Sequence, residues 1–126
     1  MAIREVIFRG KRADNGEWIE GSLLGIDWCD KPSTYSIAPN TPVSVFYSVI
    51  PETVGQYTGL TDKNGVRIFE GDIVDYISSD VIGNPKTGTI IAEDMTDYDT
   101  MIYLNHSDEL QIIGNIHDNP ELLQKI

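Results

Sequence analysis

VGQYTGLTDKNGVRIFEGDIV, residues 54–74, contains the turn signals from which the fold of this chain can be worked out. Residues 62–65, DKNG, predict a tight turn, because Asn and Gly tolerate the positive φ angle that a reversal requires. The dipeptide GD at residues 71–72 predicts a kink. The β-branched and aromatic run after it, Ile73–Ile77, predicts a strand. The stretch is therefore predicted to form a strand, a hairpin turn, a short strand, a kink and a further strand.

Similar short runs, separated by turn residues, recur on both sides of this stretch. They predict further strands at Ile3–Arg9, Trp18–Ile26, Tyr35–Ile37, Val43–Val49, Gly88–Glu93, Thr100–Leu104 and Leu110–Ile113. Short strands at regular spacing predict a mainly β fold, a small barrel or barrel-like antiparallel sheet of roughly six to nine strands. Near the end, Asn119, Pro120 and Glu121 favour the start of a short C-terminal helix that continues through Leu123.

The composition is typical of one globular domain, residues 1–126, with 40% hydrophobic residues. No apolar run approaches the ~20 residues that a membrane span requires, so no membrane partner is predicted. The first residues lack the apolar core of a signal peptide, and we expect the protein in the cytoplasm. A single cysteine, Cys29, excludes a disulfide within the chain and suits a reducing compartment.

The charge of the chain is unevenly distributed. The formal net charge is −11; residues 1–67 carry seven basic and eight acidic side chains, and residues 68–126 carry two basic and twelve acidic ones. The second half would repel phosphate, so direct binding of nucleic acid is disfavoured. Early in the chain, Arg4, Arg9, Lys11 and Arg12 either contact an anionic partner or balance the acidic half.

No pattern in the sequence predicts a catalytic, metal or cofactor site. The only histidines are His106 and His117, so a zinc site would have to recruit scattered carboxylates. The acidic run Asp94–Asp99 lacks the spacing of a calcium-binding loop and is interpreted as a solvated turn. Nucleophile elbows and glycine-rich phosphate loops are absent from the sequence.

Three ordered blocks carry a resemblance to a known family. They are IFRGKR at residues 7–12, the segment from Val49 to Val74, and IGNIHDNPELL at residues 113–123. In this order the blocks resemble the YopX family of phage and prophage proteins and bracket nearly the whole chain. Residues 27–48 match no part of the pattern and are treated as variable. The resemblance implies a β-rich fold and a phage or prophage genome, and it implies no particular activity.

The first functional hypothesis is a non-enzymatic phage accessory module in the bacterial host. It would bind a host or phage protein, or form a homo-oligomer through exposed sheet edges. Tyr and Trp side chains favour interfaces, because each combines a large apolar body with one polar group. The candidate interaction surface comprises two aromatic residues and five acids: Trp18, Tyr57, Asp75, Asp80, Glu93, Asp97 and Asp99.

Two alternatives remain open. In one, the acidic half is a decoy whose carboxylates imitate the phosphates of nucleic acid and occupy a host protein's binding site. In the other, the protein is a hydrolase that uses carboxylates in a cleft, where neighbouring acids raise one pKa. The candidate carboxylates for the hydrolase are Asp72, Asp75, Asp94 and Asp97.

Overall fold

The computed structural model describes residues 6–26, 34–42, 44–79, 82–92 and 109–125. Its strands are β1 (Phe8–Lys11), β2 (Trp18–Ile26), β3 (Thr34–Ala38), β4 (Tyr47–Val49), β5 (Gly55–Thr61), β6 (Arg67–Phe69), β7 (Asp72–Ser79), β8 (Pro85–Ile91) and β9 (Glu109–Asn115). Two short 3₁₀ helices complete the described elements, at Pro51–Thr53 and Pro120–Lys125. The chain divides into two compact units, residues 1–57 and residues 58–126.

The first unit is an antiparallel sheet with the strand order β4-β3-β2-β1, and the start of β5 pairs with the free side of β1. Ile37 of β3 and Val49 of β4 are buried in this unit. Gly10 of β1 lies against both of them, because its missing side chain leaves room for Val49 and Ile37. The sequence predicted β2 with its observed bounds.

The predicted mainly β fold is confirmed. The predicted barrel is wrong for the described residues, which form two antiparallel sheets without closure. Arg12, the residue after β1, meets Val49 of β4 in an isolated bridge. Two hydrogen bonds flank it, from the Ala13 amide to the Ser48 carbonyl and from the Ile50 amide to the Lys11 carbonyl. The earlier residues of β1 already pair with β2 on one side and β5 on the other. Among the described residues, the contact with β4 is therefore this isolated bridge and not a continuous ladder.

The second unit contains the rest of β5, which pairs with β6, and a three-stranded antiparallel sheet with the order β8-β7-β9. Its core is a cluster of buried side chains from β6, β7, β9 and the residue after β8: Ile68, Val74, Leu110 and Ala92. Partly buried apolar side chains pack against this cluster, namely Leu60, Tyr76, Ile90 and Ile112. The alternation along β7 places Val74 and Tyr76 on the core side of the strand.

The predicted turn and kink in the central stretch are confirmed. The Asp62 amide donates to the Val66 carbonyl at 2.8 Å, and the Gly65 amide donates to the Asp62 carbonyl at 3.0 Å. Gly65 and Gly71 have φ angles of +80° and +94°, the left-handed region that glycine enters without steric cost. At the kink, the buried Asp72 carboxylate accepts a hydrogen bond from the Phe69 amide at 2.8 Å.

The predicted C-terminal helix is wrong in type. Residues Pro120–Lys125 form a 3₁₀ helix, and the part of the chain that the structure describes contains no α-helix. The Leu122 amide bonds to the Asn119 carbonyl, three residues back, which is the 3₁₀ pattern. The Asn119 side chain accepts a hydrogen bond from the Asn115 amide, upstream of the helix it was predicted to cap. Neither described helix has the length and apolar character that a membrane crossing requires.

Two further predictions concern strand bounds. Of the predicted strand Val43–Val49, the described residues 44–49 form a strand only at Tyr47–Val49, while β8 begins at Pro85, earlier than predicted. The predicted strand Thr100–Leu104 lies outside the described residues. Propensity therefore located most of the strands, while their ends depend on which residues find a partner strand.

Candidate functional site

One face of the three-stranded sheet in the second unit carries a compact set of polar side chains. Asp75 and Ile77 lie two residues apart on the central strand β7, so their side chains share a face. Each pairs with a residue on both neighbouring strands, and directly paired residues also share a face. The face therefore carries two rows of three side chains, Thr89–Asp75–Gln111 and Thr87–Ile77–Glu109.

These six residues line an open recess of about 310 Å³, together with Lys63, Tyr76 and Gly88. This volume is near the lower end of the range of roughly 300–1,000 Å³ that small-molecule and side-chain pockets occupy. All of the lining residues belong to the second unit. The recess is therefore large enough for one extended side chain or a small ligand.

Two polar contacts organise the recess. The Thr89 hydroxyl donates to Oδ1 of Asp75 at 2.6 Å, which fixes the carboxylate against β8. Lys63 Nζ lies 3.6 Å from Oε1 of Glu109, and both side chains are about two-fifths exposed. An ion pair this open to water contributes little stability, so it can rearrange when a ligand arrives. The side chain of Ile77 is 42% exposed and supplies an apolar surface between the polar groups.

The Asp62 carboxylate ties the turn that carries Lys63 to the sheet. Its Oδ1 accepts hydrogen bonds from the amides of Asn64 (2.9 Å) and Val66 (3.0 Å). Its Oδ2 accepts one from the Ile112 amide of β9 at 3.4 Å. Burial raises the pKa of Asp62, but the three amide donors outweigh it, and the pKa lies below its ordinary value.

A backbone contact adds to this attachment. The Lys63 amide donates to the Leu110 carbonyl of β9 at 2.8 Å. The turn is thus fixed to β9 at two consecutive residues, and Lys63 is placed among the residues that line the recess. The sequence predicted the turn but gave no indication that β9 would hold it.

The chain matches the family model described as YopX protein over residues 7–124, nearly its whole length. The chain belongs to the YopX family. Its fold is similar to that of protein EF1440 from Enterococcus faecalis, seen in a crystal structure, with 23% sequence identity and a TM-score of 0.49. That similarity covers 96% of this chain and 99% of the other. No curated protein matches the chain.

Within this YopX family member, the recess contains one of the predicted acidic surface residues, Asp75. The other four, Asp80, Glu93, Asp97 and Asp99, lie outside the described residues. The continuous acidic face that they were predicted to form therefore stays a prediction.

The two predicted aromatic surface residues belong to the first unit. Trp18 of β2 lies beneath two cations of β1, with Arg9 Cζ 4.6 Å and Lys11 Nζ 5.5 Å from its ring centroid. These contacts engage the ring in cation–π interactions inside its own sheet. Tyr57 is half-buried in β5, and its amide donates to the Ile7 carbonyl at 2.8 Å.

Of the four candidate hydrolase carboxylates, only two are among the described residues. Asp72 is 1% exposed, and its carboxylate bonds to the Phe69 amide at the kink, which is a structural role. Asp75 lines the recess, while Asp94 and Asp97 lie outside the described residues. The structure thus places Asp72 and Asp75 in different surroundings.

Most residues of the recess could not be predicted from the sequence. Four of its lining residues lie on two strands that are separated in sequence, so no local pattern indicates that they line one site. They are Thr87, Thr89, Glu109 and Gln111. They are brought together by the register in which β8 and β9 pair with β7. The register of the β7–β8 hairpin depends on its connection, and that of β9 depends on long-range pairing.

Proposed function

We propose that this chain is a non-enzymatic phage or prophage accessory module that binds a protein in the cytoplasm of the bacterial host. The observation that carries the proposal is the recess on the β8-β7-β9 sheet. Hydrogen-bonding groups converge there around the exposed apolar side chain of Ile77. Binding sites typically combine an apolar surface with a few placed polar groups that fix orientation.

A binding role fits the recess better than carboxylate catalysis does. Paired catalytic carboxylates work when their surroundings move their pKa values apart. Here the carboxylate of Asp72 is occupied by the kink, and Asp75 is held by the hydroxyl of Thr89. The two carboxylates thus have different partners and do not form a catalytic pair. We therefore propose that Asp75 recognises a binding partner.

Affinity capture with matched variants tests the proposal. We would immobilise the wild type, Ile77→Arg and Leu123→Arg, and expose each to a lysate of the bacterial host. Ile77 and Leu123 are similarly exposed, at 42% and 39%, but only Ile77 lines the recess. We expect a protein that the wild type and Leu123→Arg retain and that Ile77→Arg loses. The same bound set for all three variants, or no bound protein, would contradict the proposal.

The proposal includes self-association, because a second copy is one possible protein partner. Light scattering over a range of concentrations measures it directly. We expect a mass above the 14.1 kDa of one chain, and a lower mass for Ile77→Arg if the recess forms the interface. A mass of one chain at every concentration would contradict self-association and leave binding of a different protein as the proposal.

A further inference from the structure

The recess has the chemistry of an acceptor-rich site with two carboxylates. Glu109 lies one row away from Gln111, the direct partner of Asp75 on β9. Such diagonal neighbours are about 7–8 Å apart, and their Cβ atoms are somewhat closer. A planar cationic group can therefore lie between the carboxylates of Asp75 and Glu109, beside Ile77, which is the neighbour of Glu109 in the second row.

Hydrogen-bonding capacity remains on these groups. The Thr89 hydroxyl occupies one acceptor position of Asp75, and an ionised carboxylate offers about four. The Gln111 amide oxygen and the Thr87 hydroxyl are further acceptors along the same lining. Glu109 forms an ion pair with Lys63. Because this pair is exposed to water, another cation can displace Lys63 from the Glu109 carboxylate.

We propose that this recess receives an arginine side chain from an extended segment of a protein partner. The inference rests on the binding role proposed above and names the chemistry of the partner. A guanidinium group presents five N–H donors in a plane, and it pairs with carboxylates in fork geometry. Its aliphatic stem packs on apolar surface, which Ile77 supplies. An anionic side chain is disfavoured, because residues 68–126 carry twelve acids and two bases.

A titration with small probes tests this inference on the full chain. We would add N-acetyl-arginine amide to the ¹⁵N-labelled protein and follow amide chemical shifts. N-acetyl-citrulline amide is the control, because it has nearly the same shape and no charge. We expect shifts for the arginine probe at residues 75–77, 87–89 and 109–111, and none for the citrulline probe. Equal shifts for both probes, or shifts confined to other residues, would overturn the inference.

Three charge-neutralising variants complete the test. Asp75→Asn keeps the size of the side chain and an oxygen that can accept from Thr89, so the fold should be retained; Glu109→Gln serves as the second recess variant. Each should weaken binding of the arginine probe about tenfold or more, the usual effect of removing a hydrogen bond between charged groups. Glu121→Gln, an exposed change of equal charge outside the recess, should leave binding unchanged. Equal affinity in all three variants would overturn the inference.

The outcome also separates this inference from the broader proposal. If the arginine probe fails to bind while lysate capture still depends on Ile77, the binding role stands and the arginine chemistry is wrong. If capture fails as well, the binding role fails with it.

Discussion

At the scale of single residues, Asp62 is the side chain on which the central turn depends. Asp62→Ala removes the acceptor of three amides, at Asn64, Val66 and Ile112. We expect the free energy of unfolding to fall by about 2–3 kcal/mol, because amides that lose a buried acceptor are costly. Urea denaturation measures the change. Asp62→Asn is the control, since its amide oxygen can still accept bonds inside the turn, and an equal loss in both variants would contradict this account.

Asp62 also makes the stability of the fold depend on pH, and the direction follows from its pKa. The pKa of Asp62 is lower in the folded chain than its ordinary value of 3.8, so the folded state favours the ionised form. Its stabilising contribution is therefore present above that ordinary value and is lost as the pH falls through the lower folded pKa. The unfolding free energy of the wild type should fall more steeply below about pH 4 than that of Asp62→Asn. Parallel curves for the two proteins would contradict the prediction.

At the scale of elements, strand β2 depends on a close approach to the end of β3. A Cβ atom at Gly21 would overlap the carbonyl oxygen of Ala38 and would lie 2.8 Å from the Cα of Pro39. These are backbone atoms, so the clash cannot be relieved by rotating a side chain. Gly21→Ala should destabilise the chain by about 1–3 kcal/mol or more, the range for overpacking.

Hydrogen exchange shows where this loss arises. In Gly21→Ala, amide protection should fall along the β2–β3 ladder, which runs from Ser22–Ala38 to Ile26–Thr34. Ser22→Ala is the matched control, because it changes the next, exposed residue of β2 without adding a Cβ atom. Its stability should stay within about 0.5 kcal/mol of the wild type. A similar loss of protection in both variants would show that the close approach is not the cause.

Local patterns predicted elements better than they predicted contacts between elements. Strand β2 and the turn at residues 62–65 follow from strand propensity and turn chemistry, both of which are local. The run Val43–Val49 has the propensity of a strand throughout, yet among its described residues, 44–49, only the last three pair with β3. Propensity indicates which residues can form a strand, while a strand exists only where a partner supplies hydrogen bonds.

The candidate site shows the same limit. Asp75 could be selected from the sequence as one acid of the charged half, but nothing local indicates that Thr89 and Gln111 are its neighbours. Those neighbours are fixed by the register of two strands against β7, one of them more than thirty residues further along the chain. A shift of one residue in either register would turn different side chains towards the recess.

At the scale of the whole molecule, the boundary between the two units falls between Tyr57 and Thr58, inside β5. Neither unit retains a complete β5 if the other unfolds. We therefore expect one cooperative unfolding transition, as the sequence predicted for a single domain. Trp18 belongs to the first unit, so in a Trp28→Phe variant its fluorescence reports on that unit alone. Its urea midpoint should coincide with that of far-ultraviolet circular dichroism, and separate midpoints would show two independent units.

The net charge of −11 bears on how fast a partner associates. The affinity of any partner attracted by the acidic half should weaken between low and physiological salt. The double variant Asp97→Asn with Asp99→Asn should slow association, because the charge of the acidic half steers encounter. Asp75→Asn should mainly speed dissociation, because a close charge pair holds the bound complex. Surface plasmon resonance separates the two rates. A salt-independent affinity, or unchanged association in the double variant, would exclude the acidic half as a steering surface.

The attachment of the turn at residues 62–65 to β9 has a consequence for labelling and proteolysis. Exposed turns usually tolerate insertions and cleavage, because few long-range contacts hold their backbone. The tip of the first turn, residues 14–16, is of this kind, since the Gly16 amide bonds to the nearby Arg12 carbonyl, and the long-range bond from the Ala13 amide to the Ser48 carbonyl lies before the tip. The turn at residues 62–65 is hydrogen-bonded to β9 through Asp62 and Lys63, so inserted residues there would disturb these bonds to β9. A fluorescent tag or protease site therefore belongs in the first turn.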